Sequence, residues 1–78
     1  MTVYVLIKTD WGGDTVGFEI YKNKEDAILE MNRKVDFQVL SNDDIKKIYR
    51  YENGLRIRLL YKDGDTKLMY HIEERAVK

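Results

Sequence analysis

The sequence predicts an α+β protein: an antiparallel sheet of about five strands in the order β-β-α-β-β-β, with one helix packed on one face. Two glycine turns, Asn53-Gly54 and Asp63-Gly64, separate three alternating apolar runs between Ile45 and Ala76 and predict a β-meander. Two further alternating runs at the amino end predict a hairpin. Between these two units, Ala27, Ile28, Met31 and Val35 recur at helical spacing.

From Thr2 to Thr9, Val3, Val5 and Ile7 alternate with Tyr4, Leu6 and Lys8. Both phases begin apolar, as expected of an inner strand covered on both sides. Asp10 to Asp14 reads as a turn, and Thr15 to Tyr21 returns with Val16, Phe18 and Ile20 in phase. A short loop pairs Ile7 with Val16, Val5 with Phe18 and Val3 with Ile20, placing all six on one face.

Asn23 reads as a helix N-cap, with Glu25 and Asp26 in the first turn, where carboxylates favour the positive end of the helix dipole. The helix is expected from Lys24 to about Val35, with Leu29 off the apolar stripe. For Asp36 to Asp44 the reading is a loop leading into a strand from about Ile45. Ser41 and Asp44 also allow a short capped helix through Ile48.

Turn arithmetic sets the meander. A two-residue Asn53-Gly54 turn would place Arg50 opposite Ile57 and mix charge into an apolar face. A three-residue bulged loop instead sets Tyr51 opposite Leu55, Tyr49 opposite Ile57 and Ile45 opposite Tyr61, and is preferred. Around Asp63-Gly64 a two-residue turn sets Leu59 against Leu68, Ile57 against Tyr70 and Leu55 against Ile72.

Residues 1–78 are read as one domain, close to the size at which a single core barely suffices, so dimerisation would help. An apolar fraction of 44% argues for a folded chain, and the absence of cysteine excludes disulfides and thiolate metal sites. Val3 to Ile7 is too short for a signal peptide, and no run approaches a membrane span, so a cytoplasmic location is expected.

The chain carries 14 basic and 14 acidic residues, a balance that disfavours general binding to nucleic acid or anionic membranes. The charges are segregated. Residues 45–62 hold six basic side chains (Lys46, Lys47, Arg50, Arg56, Arg58 and Lys62) and one acidic, interleaved with Tyr49, Tyr51 and Tyr61. Arginine and aromatic side chains on a sheet can stack single-stranded bases. In the preferred register, however, the tyrosines face the core and the arginines face away.

Catalytic, cofactor and metal signatures are not found. His71, the only histidine, has Glu73 nearby but no nucleophile, and reads as a surface imidazole. Asp10 and Asp14 around Gly12-Gly13, and the Asp43-Asp44 pair, fit turns and caps better than a calcium loop. The outward phase is more informative: Tyr4, Leu6, Tyr21, Leu60 and Met69 fall there among Arg56, Arg58, His71 and Arg75. These residue types are enriched where proteins meet. The expected contact panel is Tyr4, Leu6, Arg56, Arg58, Leu60, Met69 and His71, with Trp11 at the hairpin tip as a second contact.

Val3-Tyr4-Val5-Leu6-Ile7, the return Gly17-Phe18-Glu19-Ile20-Tyr21, the helix start Lys24-Glu25-Asp26-Ala27 and the closing Ile72-Glu73-Glu74 resemble small uncharacterised proteins of bacteriophages and mobile elements. The resemblance implies no catalytic residue. It implies an accessory role, such as inhibiting a host or defence protein by direct binding. The expectation is therefore a non-enzymatic protein-binding module, able to form a homodimer. Single-stranded nucleic-acid binding through the 45–62 hairpin is the alternative.

Overall fold

A computed structural model describes residues 1–10, 12–61 and 66–77. Six elements follow one another: β1 (Thr2–Asp10), β2 (Thr15–Tyr21), α1 (Lys24–Ser41), β3 (Ile45–Tyr51), β4 (Arg56–Tyr61) and β5 (Thr66–Ala76). The fold is α+β as the sequence predicts, with one five-stranded antiparallel sheet in the order β2-β1-β5-β4-β3. The first and last strands lie side by side at its centre, paired from Thr2 with Ala76 to Asp10 with Leu68.

The first hairpin closes on Asp10, whose carboxylate accepts the backbone N–H groups of Gly12 and Asp14 at 3.0 Å each. Gly13 adopts the left-handed conformation that this turn requires (φ 86°). Val5 meets Ile20 and Ile7 meets Phe18, two residues away from the expected register. The shift is even, so Val3, Val5, Ile7, Phe18 and Ile20 still share one face.

That face is the one the helix does not cover. The helix packs over Leu6, with Tyr4 and Tyr21 at the margin of the cluster. Partner choice explains the reversal. Leu68, Tyr70 and Ile72 form the core phase of β5, and β5 pairs Ile72 with Leu6 and Tyr70 with Lys8. The phase of β1 containing Tyr4 and Leu6 must therefore lie beneath α1. With both phases of β1 apolar, alternation alone could not make that choice.

Ala27, Met31 and Val35 are fully buried on α1 and meet Ile45, Ile57, Leu59, Tyr70 and Ile72, while Leu29 points to solvent as expected. The helix does not stop near Val35. It runs on to Ser41, because nothing from Asp36 to Ser41 breaks a helix: there is no proline and no glycine. Phe37 and Leu40 break the apolar spacing because they point outward, at 66% and 85% exposure. Asn42 ends the helix, its side-chain amide donating to the Gln38 carbonyl at 3.0 Å. Lys67 ties this end to β5 by bridging the Asn42 amide oxygen at 3.0 Å and the Asp44 carboxylate at 3.2 Å.

In the meander, Leu59 faces Leu68 and Ile57 faces Tyr70, as the sequence predicts. The Ile72 N–H donates to the Leu55 carbonyl at 2.9 Å, extending the same register, while the Asp63-Gly64 turn lies outside the described residues. The β3–β4 register is the one set aside on sequence grounds: Tyr51 opposes Arg56, Arg50 opposes Ile57 and Tyr49 opposes Arg58. Glu52, Asn53 and Gly54 all take positive φ (55°, 56° and 85°), and this left-handed run replaces the single-glycine bulge. An irregularity between Ile45 and Lys47 then restores the expected Ile45–Tyr61 pair.

Candidate functional site: the helix-free sheet face

Strand alternation assembles this face in rows across the sheet. One row runs Phe18, Ile7, His71, Arg56, Tyr51, and the next runs Thr9, Met69, Arg58, Tyr49. Its centre is shielded by its own side chains, for Val3, Val5, Thr9 and Leu60 are buried although no helix covers them. The exposed apolar surface is displaced to edge strand β2, where Val16, Phe18 and Ile20 are 53%, 65% and 61% exposed.

The opposite end is basic and aromatic. The Arg56 and Arg58 guanidinium groups each stand 5.9 Å from the centre of the Tyr51 ring, a cation–π distance. The Tyr51 hydroxyl donates to the Met69 sulfur at 3.4 Å. Near the middle, His71 Nε2 lies 3.2 Å from Glu73 Oε1, while Arg75 Nε donates to Glu73 Oε2 at 3.1 Å. Arg75 first, and His71 second, hold the Glu73 carboxyl below the usual carboxylate range. His71 and Arg56 oppose each other directly across the β4–β5 ladder; His71 Nδ1 is buried without a hydrogen-bond partner, and Arg56 Nε lies 3.5 Å from the Glu52 carboxylate.

The two edges of the sheet are protected unequally. β3 carries Lys46, Lys47 and Arg50, the charges that usually discourage a further strand from adding. β2 carries Glu19 as its only charged residue.

The expected contact panel is thus divided. Arg56, Arg58, Leu60, Met69 and His71 share the helix-free face, although Leu60 is 5% exposed. Tyr4 and Leu6 belong to the other face. Leu6 is 2% exposed in the core, and the Tyr4 hydroxyl reaches Glu74 at 3.5 Å. Trp11 lies outside the described residues. Sequence reasoning missed Val16, Phe18 and Ile20, which it paired correctly by face but turned toward the helix. It also missed Tyr49 and Tyr51, turned inward by a register error of one residue. A usable signal was the fixed phase of Leu68, Tyr70 and Ile72 on the strand that receives β1.

Among the described residues, no three His, Asp or Glu side chains gather in a group that could hold a metal ion, and no helix is long and apolar enough to cross a membrane. No protein-family model matches the chain, and no curated protein and no solved structure is similar to it.

Proposed function

We propose that this chain is a non-enzymatic binding module that engages another protein through the helix-free face of its sheet. One observation carries the reading: Val16, Phe18 and Ile20 stand in a row on an edge strand, each more than half exposed. A contiguous apolar stripe of this kind, with an Arg- and Tyr-rich cluster at the other end of the same face, has the composition of a contact surface. The resemblance to phage and mobile-element proteins extends the reading to an accessory protein that blocks a host or defence protein by occupying its surface. The same stripe on an edge without lysine also suits self-association into a dimer.

The test compares wild type with Phe18→Ser/Ile20→Thr, substitutions on exposed strand positions that leave the core intact. The expected outcome is that a partner captured from host lysate by the wild type is lost by the variant, and that any dimer mass seen in light scattering falls to that of the monomer. Capture and mass unchanged in a folded variant would overturn the assignment.

A second reading has its own observation. The observed β3–β4 register puts Tyr49 and Tyr51 on the same side as Arg56 and Arg58, which favours stacking of single-stranded bases there. Arg50 pairs with Ile57 on the opposite phase and does not contribute. Titration of labelled oligonucleotides at two salt concentrations decides: this reading expects binding that weakens steeply with salt, and no binding at low salt eliminates it.

A further inference from the structure

A half-open cavity of about 570 Å³ lies on the other side of the sheet, between α1 and the β1–β2 hairpin. Its floor includes Leu6 and the ring of Tyr70, both almost wholly buried. Two features of the chain meet there. Gly17 sits inside β2, where glycine weakens a strand, yet it has no left-handed φ, and a Cβ built on it would meet nothing within 4 Å. Phe37 lines the same cavity from α1 and is 66% exposed, an aromatic ring that contributes little to the core. A glycine inside a strand marks an irregularity of the ladder, such as the register shift beside it between Lys8 and Thr9, or the close approach of a ligand, and here the cavity adds the second to the first. Here the missing side chain leaves a slot, and the unused ring forms one of its walls.

The charges at the rim are nearly all committed to one another. Lys34 lies 2.7 Å from Glu19 and 3.8 Å from Glu30, and Arg33 lies 2.7 Å from the same Glu30 carboxylate. Lys8 is different. It lines the cavity directly opposite Gly17 in the ladder, and among the described residues it makes no ion pair. The result is an apolar slot with one uncommitted cation, of a volume typical for a small-ligand pocket.

We infer that this slot binds a small, flat aromatic carboxylate. The ring lies over Leu6 and Tyr70 in the space left by Gly17, against Phe37, and the carboxylate meets the Lys8 ammonium. This site opens on the helix-covered side of the sheet and shares only Phe18 with the proposed protein contact, on which the inference does not rest.

Naphthoate is the probe, with the neutral naphthalenemethanol as its control, each followed by amide NMR on the full chain. Naphthoate is expected to shift the amides of Lys8, Gly17 and Gln38. Gly17→Leu fills the slot and should abolish binding, while circular dichroism reports an unchanged fold. Phe37→Ser, on an exposed helix position, should weaken both probes and covers the case in which the leucine disturbs the strand. Lys8→Met should weaken naphthoate roughly tenfold, the size of one charge-assisted hydrogen bond, and leave naphthalenemethanol unchanged. Three results would each overturn the site: no naphthoate binding at millimolar concentration, undiminished binding in Gly17→Leu and Phe37→Ser, or amide shifts confined to Val16, Phe18 and Ile20.

Discussion

Glu73 holds two partners on one carboxylate, the Arg75 guanidinium and the His71 imidazole, and Glu19 on the opposite face also holds two, the Lys34 ammonium and the Tyr21 hydroxyl. Arg75 and then His71 lower the pKa of Glu73; the Lys34 ammonium and then the Tyr21 hydroxyl, which donates at 2.6 Å, lower that of Glu19. Lys34 is raised in return, chiefly by Glu19. A carboxylate whose native pKa lies below its ordinary value of 4.5 stabilises the fold at pH above that value, and the contribution is lost as pH falls through the native pKa. Lys34 has the opposite sign: its contribution is present below its ordinary 10.5 and is lost as pH rises through the higher native value. The Glu73 pair is solvent-exposed, so each effect is small and screened by salt. Urea midpoints measured from neutral pH down through the carboxylate range should therefore fall less steeply for Glu73→Gln and Glu19→Gln than for wild type. Parallel profiles would mean that neither pair persists in solution.

At the scale of elements, the chain was legible wherever one physical signal acted alone. The first three turns of α1 were readable because Ala27, Met31 and Val35 all go to zero exposure on one stripe. The β4–β5 register was readable because Leu59–Leu68 and Ile57–Tyr70 are apolar pairs that a one-residue slip would destroy. Misreadings arose where two signals competed. The segment from Asp36 to Asp44 was read as a loop, but helix continuity won as far as Ser41, and Phe37, Val39 and Leu40 remain at the surface. At the third turn the preference for apolar pairing chose one register, and backbone geometry chose another. Glu52 and Asn53 take the left-handed conformation before Gly54, which places Arg50 opposite Ile57 after all. Arg50 tolerates that phase because β3 is an edge strand, where a long side chain reaches water. The helix-free face was half legible for the same reason. The meander placed Arg56, Arg58, Met69 and His71 on the face away from the helix as expected, whereas β1, apolar on both sides, gave no internal sign of which phase the helix would cover.

At the scale of the whole molecule, the two sequence-local units, β1–β2–α1 and the β3–β4–β5 meander, join through the β1–β5 ladder and the helix beneath which it passes. Residues near opposite ends of the chain meet there: the Val77 N–H donates to the Met1 carbonyl at 2.7 Å. Neither unit can bury its apolar face alone, since Met31 and Val35 from the first share one cluster with Ile57 and Leu59 from the second. Folding should therefore be a single transition, and a wound in the seam should weaken both halves together. Leu6, 2% exposed and paired with Ile72, is the place to make it. Leu6→Ala is expected to cost about 2–5 kcal/mol, a large part of the stability of so small a domain. Hydrogen exchange at amides of α1 and of β4 should accelerate by the same factor in this variant, because both open only when the whole sheet opens. If β4 amides kept their wild-type protection while those of α1 lost theirs, the meander would be an independent folding unit. The helix-free face would then be two surfaces that happen to adjoin, and a partner that needs Phe18 and Arg58 together would bind only while the seam is closed.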